Sequence, residues 1–381
     1  MLTIRNYISS PASLPASPPL GAAGATRGLP TSIALLRSPR TRVSLLVTFL
    51  LCLLVAAVVI SASHGPARIT YAESAAILLD DVGIHLGIPY PRTAELVVEQ
   101  VRLPRIIVGA LVGMSLALSG VALQGLFRNP MADPGILGVS TGGALAAVLS
   151  IVTGMQARSV LFLPAMSVIG ALVTVSVVYS LANVGGRFTL ASLLLSGMAV
   201  SAFLGACISY ITLSQRELAS LQAVLFWLAG GLDARLWLHV RLVAPPLLLG
   251  ALAVYGFART LNVMLLGEES AHSLGVRVQR SRMLLLALAS ILTGVAVSVS
   301  GSIGFVGLVV PHAMRLIVGP DHRVLLPVSA LAGATFLVAA DTVARLILQP
   351  AELRVGIVTA FVGAPFFLFL LLRNRRRANL L

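Results

Sequence analysis

The sequence predicts an all-α, polytopic membrane protein with about ten transmembrane helices, and three observations carry that expectation. Mean hydropathy is +0.98. Only 10% of the 381 residues are charged, against about a quarter in soluble domains. Apolar runs close to the roughly 20 residues that a bilayer requires occupy nearly the whole chain. They cover Val43–Ser61, Arg105–Leu126, Ile136–Gly154, Val160–Ala182, Thr189–Leu213, Leu238–Thr260, Met283–Ser300, Ile303–Val318, Val324–Ile347 and Val355–Leu372. Little chain is left over for a soluble catalytic domain.

The ends and connections set a topology. Residues 1–42, rich in Pro, Ser, Ala and Arg and without an acid, read as a disordered cytoplasmic tail ahead of a transmembrane domain at 43–377. A cleavable signal is the rival reading, because SASHG follows the first apolar run, but about 18 apolar residues are long for a signal core. All 27 basic residues are Arg, the formal net charge is +14, and arginines in short connections point to positive-inside orientation rather than to nucleic acid. With the N-terminus inside, ten spans place the C-terminal RNRRR inside too, together with Arg259, Arg277, Arg280 and Arg282. Cys52 and Cys207 fall within apolar runs and read as small packing residues.

GMSLALSG at Gly113–Gly120 and GVAVSVSG at Gly294–Gly301 match. They lie five spans apart and therefore run in opposite directions, as a 5+5 inverted repeat requires, and their small residues suit close helix contact.

Polar features within this frame are few. RNPMADPGILGVSTGGA at Arg128–Ala144 could suggest a phosphate cradle. A P-loop needs a lysine after its last glycine, and the chain contains none, so the stretch reads as a helix–helix connection, with Asn129-Pro130 ending one helix and Asp133-Pro134 starting the next. Asp341 and Arg345, four apart in AADTVARLI, can pair on one helical face. His312 follows Pro311 and reads as a polar residue near a kink. LGEESAHSLGVRVQ at Leu266–Gln279 is too polar to span and reads as a short amphipathic helix outside the bilayer.

Taken together, VRLPRIIVGALVGMSLALSGVALQGLFRNPMADPGILGVSTGGALA, LGEESAHSLGV, GSIGFVGLVVPHAMRLIVGPDHRVLLP, AADTVAR and PAELRVGIVTAFVGAPFFLFLLL resemble the FecCD family from about Val43 to Arg377. These are permease subunits of bacterial ABC importers for iron-siderophores, haem and cobalamin. The resemblance implies a type II importer fold and a homodimer in the inner membrane with both termini cytoplasmic. It also implies two ATP-binding subunits that carry the ATP and magnesium, and a periplasmic substrate-binding protein. No cofactor, metal or catalytic group is expected on this chain.

By the same resemblance, Asn129, Met131, Leu190 and Ala191 form a cytoplasmic gate. Leu266, Gly267, Glu268, Glu269, Ser270, Ala271, Leu274 and Gly275 couple to the ATPase. Arg102 and Arg105 in the LRLPR-type motif, with Arg345 in the DxxAR motif, meet the binding protein. The implied cargo is an iron chelate, either haem or a ferric siderophore, with cobalamin as the alternative. An ion-driven secondary transporter would need midplane carboxylates, which the spans lack apart from Asp341. An intramembrane enzyme using Ser140 or His312 has no second group placed to help it.

Overall fold

The computed structural model describes residues 39–184, 189–349 and 351–378, so most of the expected N-terminal tail lies outside the described residues. Each of the ten expected spans appears as a helix. They are α1 Pro39–Ser63, α4 Leu103–Phe127, α5 Val139–Val152, α6 Phe162–Ala182, α7 Leu190–Leu213, α9 Trp237–Gly256, α12 Val278–Ser300, α13 Val306–Val318, α14 His322–Ile347 and α15 Val355–Ala378. Between them lie α2 Tyr71–Asp80, α3 Arg92–Val97, α8 Leu218–Leu228, α10 Ala258–Met264 and α11 Glu268–Ser273. Among the described residues no strand occurs.

Among the described residues seven helices are long and apolar enough to cross a membrane, and α5 and α13 are shorter apolar helices. Fourteen residues in α5 rise only about 21 Å. The reason is backbone geometry on their N-terminal sides. The chain leaves α4 through a left-handed Arg128, makes a 3-10 turn at Pro134–Leu137, and enters α5 through Gly138 at φ +76°. Asp133 caps that 3-10 turn, accepting the Gly135 N–H at 2.7 Å. The helix expected to begin at Pro134 therefore begins five residues later. In the second half the chain leaves α12 through Gly301 at φ +65° and enters α13 through Phe305 at φ +69°. A bulky residue in the left-handed region is a true outlier, and it is held where a Cβ on Gly363 of α15 would overlap the Phe305 side chain. Two broken, shortened helices at corresponding places in the two halves are the hallmark of inverted-repeat transporters.

Packing repeats in the same way. α4 lies against α14 as α12 lies against α6; α5 pairs with α6 as α13 with α14; α6 touches α7 as α14 touches α15. α4 and α12, which carry the two matching glycine motifs, pack on each other at the centre, and most residues of each are buried. The motif glycines have a steric reason to be there: a Cβ on Gly113 would overlap the Gly333 carbonyl, one on Gly120 the Gly307 carbonyl, and one on Gly294 would come within 3.0 Å of Ala171 Cβ. Backbones approach closely here because no side chain intervenes. α1 is peripheral and mostly exposed along its length. α8 was not anticipated, since its eleven residues fall below the length that marks a span.

Candidate functional site: an arginine cluster at one end of the bundle and a short helix at the other

Polar groups collect at the two ends of the bundle. At the end holding the α1 C-terminus, a π turn at Val98–Arg102 leads into α4 and sets Arg102 and Arg105 one turn apart. Arg105 grips Asp341 of α14 through Nη2 to Oδ1 at 2.9 Å and Nε to Oδ2 at 3.0 Å, and reaches Glu352 at 2.8 Å with Nη1. The expected i,i+4 pair is present as well, Arg345 Nε lying 3.3 Å from Asp341 Oδ2. Arg345 further donates to the His64 carbonyl at 2.9 Å and to the carbonyl of Ser61 at 3.3 Å, and Arg102 donates to the Ala62 carbonyl and, at 2.6 Å, to that of Ala67. The two guanidiniums thus satisfy carbonyls that the end of α1 leaves without partners.

Arg102 and Arg345 are only 5% and 6% exposed, and both are engaged by the chain's own groups. A cation near a helix C-terminus is a favourable arrangement. Arg105 is the one that reaches the rim, through its half-exposed partner Glu352.

At the opposite end stands α11, bracketed by Gly267 at φ +118° and Gly275 at φ +82°. Those angles let the chain turn sharply into and out of a six-residue helix, which most side chains would oppose. Ala271 is fully buried and seats α11 on the bundle, while Glu268 pairs with the buried Arg282 of α12. Leu266 and Leu274 are 65% and 63% exposed on either flank, and Glu269 and Ser270 are exposed with them. The predicted amphipathic helix is therefore present but shorter, and Val278 and Gln279 belong to α12.

The gate candidates are less of a unit. Asn129 is exposed, and its Oδ1 accepts the Met131 N–H at 2.9 Å, shaping the turn after α4. Met131 lies in a narrow crevice with Pro130, Leu308, His312 and Phe366. Ala191 is exposed at the start of α7, which Thr189 caps through a reciprocal bond with Ser192; the Leu190 side chain lies outside the described residues. No described contact within the single chain joins Met131 to Ala191.

Sequence reasoning missed a polar chain between these two inner features. Asn262 of α10 donates to Asp321 Oδ1 at 2.6 Å, and its own Oδ1 accepts the His322 N–H and ring Nδ1–H, each at 2.8 Å. His322 is fully buried against Gly125 of α4, next to Gln124, whose side-chain amide donates to the Gly307 and Leu308 carbonyls at 3.2 Å. A histidine and an amide at 0% and 1% exposure inside apolar surroundings are the signal that would have pointed there, because buried polar groups need partners.

A multi-pass helical bundle with two broken helices in inverted halves, and a docking-sized polar helix at one end, defines a membrane transport permease. Residues 34–373 match the model of the FecCD transport family, and the chain belongs to that family. It is 45% identical over 358 residues to the cobalamin import system permease protein BtuC of Halobacterium salinarum, across 86% of this chain and 95% of that one. It is 40% identical to the hemin transport system permease protein HmuU of Yersinia pestis, across 89% of this chain and 99% of that one. The Fe(3+) dicitrate transport system permease protein FecD of Escherichia coli is also 40% identical, across 81% and 98%. Among solved structures, an inward-facing conformation of a metal-chelate type ABC transporter superposes with a TM-score of 0.76 at 34% identity, across 86% of this chain and 98% of that one.

Proposed function

We propose that this chain is the membrane permease subunit of an ABC importer that carries an iron chelate, haem or a ferric siderophore, across the bacterial inner membrane into the cytoplasm. The observation that carries this reading is α11, a short helix held between two positive-φ glycines with exposed Leu266 and Leu274. It is a rigid knob suited to a groove on a partner subunit. In the proposed assembly two copies of the chain meet around one path, two ATP-binding subunits carry ATP and magnesium and seat on Leu266–Gly275, and both termini face the cytoplasm. ATP hydrolysis belongs to those partners, so the chain itself is not an enzyme and binds no cofactor. Motion of α11 is passed on as a rigid-body shift.

Asn129 and Met131 of one copy, with Leu190 and Ala191, close the inner end of the path. Met131 suits that role because a thioether adapts to an irregular apolar seal. A periplasmic binding protein docks on the outer rim around Arg105, and Arg102 and Arg345 fix that rim from beneath. Cobalamin is the second reading for the cargo, favoured by the similarity to a cobalamin import permease. The test is uptake in proteoliposomes holding the permease and its ATP-binding subunits. ATP-dependent accumulation is expected, and accumulation driven by a proton or sodium gradient without ATP would overturn the proposal.

A further inference from the structure

The end of the bundle opposite α11 holds a cavity of about 370 Å³, walled by Ile151, Leu163, Phe226 and Trp227 and floored by Ser300 and Gly301 at the break before α13. Into it come three cationic or donor side chains, Arg235, His239 and Arg354, with one carboxylate, Asp233. Asp233 is taken by Arg354 in an ion pair, and the Arg354 guanidinium lies 4.2 Å from the centre of the Phe226 ring. Arg235 makes no ion pair among the described residues, although Asp233 is near enough to act on its charge, and its Nε is buried with no hydrogen-bond partner there.

The Arg235–His239 contact is the informative one. The Leu236 N–H donates to His239 Nδ1 at 3.1 Å, so Nδ1 acts as an acceptor and carries no proton. The proton of the neutral ring must then sit on Nε2. His239 Nε2 faces Arg235 Nη1 at 3.3 Å, and a guanidinium has donors only. Two N–H groups therefore meet with no acceptor between them, on a histidine that is 5% exposed. The backbone holds them there: Ala234 sits at φ +54° immediately before Arg235, and the Gly231 N–H is bonded to the Ser300 carbonyl at 2.8 Å. Strain of this kind persists only where the surroundings impose it.

We propose that Arg235 and His239 form a carboxylate-binding subsite in this outer cavity, and that it favours cargo with a free carboxylate over an uncharged corrinoid. An oxygen anion settling between the two groups would accept from both, the strong charge-assisted arrangement for a guanidinium. The cavity lies at the low end of small-molecule sites, so it takes a carboxylate-bearing arm of a chelate while the apolar wall of Phe226, Trp227 and Leu163 receives the adjoining hydrocarbon. The inference rests on the importer reading and narrows its substrate class.

The experiment uses the full permease with its ATP-binding subunits in proteoliposomes and three probes: haem, haem dimethyl ester and cyanocobalamin. Fluorescence of the lining Trp227 gives binding independently of transport. Haem is expected to bind better than its ester, and R235Q should weaken haem by about tenfold or more, as loss of a hydrogen bond to a charged group implies, while leaving the ester unchanged. R235K should recover part of the loss. Equal binding of haem and ester by the native protein, or an R235Q protein that binds haem as the native one does, would overturn the inference. So would an R235Q effect confined to capture of the binding protein, because the anion would then come from that protein rather than the cargo. ATP-driven uptake of cyanocobalamin as fast as that of haem would overturn the carboxylate selectivity and leave the importer reading standing. Absence of ATP-driven uptake for every probe, with haem binding still sensitive to R235Q, would sink the importer reading and spare the subsite.

Discussion

Arg105 and Asp341 are 236 residues apart in the chain and form a two-pronged ion pair, with Nη2 to Oδ1 at 2.9 Å and Nε to Oδ2 at 3.0 Å. The pair clamps α4 to α14, the same two helices whose backbones meet at Gly113 and Gly333. Asp341 also faces Arg345 at 3.3 Å, and Glu352 adds a second carboxylate on Arg105 at 2.8 Å. Two guanidiniums and two carboxylates thus meet within one cluster, around an Asp341 side chain that is 4% exposed.

Truncation of one member should expose that balance. Arg105→Ala leaves the Asp341 carboxylate buried against a single, more distant cation, and breaking a buried pair in this way costs about 3–5 kcal/mol. A clear drop in the thermal unfolding midpoint of the detergent-solubilised protein is expected. Arg105→Ala with Asp341→Ala together should be closer to the native midpoint than Arg105→Ala alone, because the orphaned charge is gone; a double variant no better than the single one would count against this account.

The coupling assignment is tested at the glycines that shape α11. Gly275 has φ +82°, and a Cβ placed there would meet nothing within 4 Å, so Gly275→Leu acts through backbone strain rather than a clash. A left-handed residue with a side chain costs about 1 kcal/mol or more, which should shift the path of α11 without unfolding ten helices. The expected outcome is ATP hydrolysis retained and uptake lost. Gly275→Asn, which tolerates φ above zero, should retain more uptake than Gly275→Leu; equal uptake by both would argue against it.

The outer segment between α1 and α3 carries a titration that can be read directly. The Tyr90 hydroxyl donates to Asp80 Oδ2 at 2.6 Å, and this bond raises the Tyr90 hydroxyl to about 12 while holding the Asp80 carboxyl below its ordinary value, with His85 helping. For the raised tyrosine, the contribution to stability is complete below its unfolded value near 10 and is lost as pH rises through about 12. For the lowered Asp80, it is present above the unfolded carboxylate value and lost as pH falls through the lower folded one. In a tyrosinate absorbance titration, one of the six tyrosines should ionise near 12. Tyr90→Phe should remove it, and Asp80→Asn should bring it back toward 10. A titration unchanged by Asp80→Asn would reject the bond as its cause.

How much of this was legible in the sequence divides by range. Apolar length located every long helix, and the small-residue motifs at Gly113 and Gly294 correctly announced close backbone contact. Local spacing also found the Asp341–Arg345 pair. It could not find Arg105 as the stronger partner of Asp341, because that contact is made between helices rather than along one. The same limit hid the intrachain carbonyl partners of Arg102 and Arg345. An arginine near a span end looks like a surface charge until the neighbouring helix C-terminus, with its unpaired carbonyls, is seen beside it. The shortening of α5 and α13 was hidden because hydropathy does not register the positive φ of Gly138 and Phe305 that breaks the helices.

The last relationship to test joins the two inner features. Asn262 lies on α10, immediately before α11, and binds Asp321 and His322 at the start of α14, while His322 presses on Gly125 one turn before the Asn129–Met131 gate. A displacement of α11 therefore has a contiguous route through Asn262 and the buried His322 to the proposed gate turn, the kind of contact along which coupling can travel. Asn262→Leu removes the acceptor for His322 and leaves the buried ring unpaired, at a cost of about 1–3 kcal/mol. Because α11 itself is untouched, seating of the ATP-binding subunits should persist and their hydrolysis should continue, with uptake per ATP reduced. Asn262→Asp keeps an oxygen for His322 but loses the amide donor to Asp321, so it should fall between the native protein and Asn262→Leu. Should Asn262→Leu lower hydrolysis and uptake in equal proportion, the contact would be serving only the stability of the inner end, and the route to the gate would have to run elsewhere.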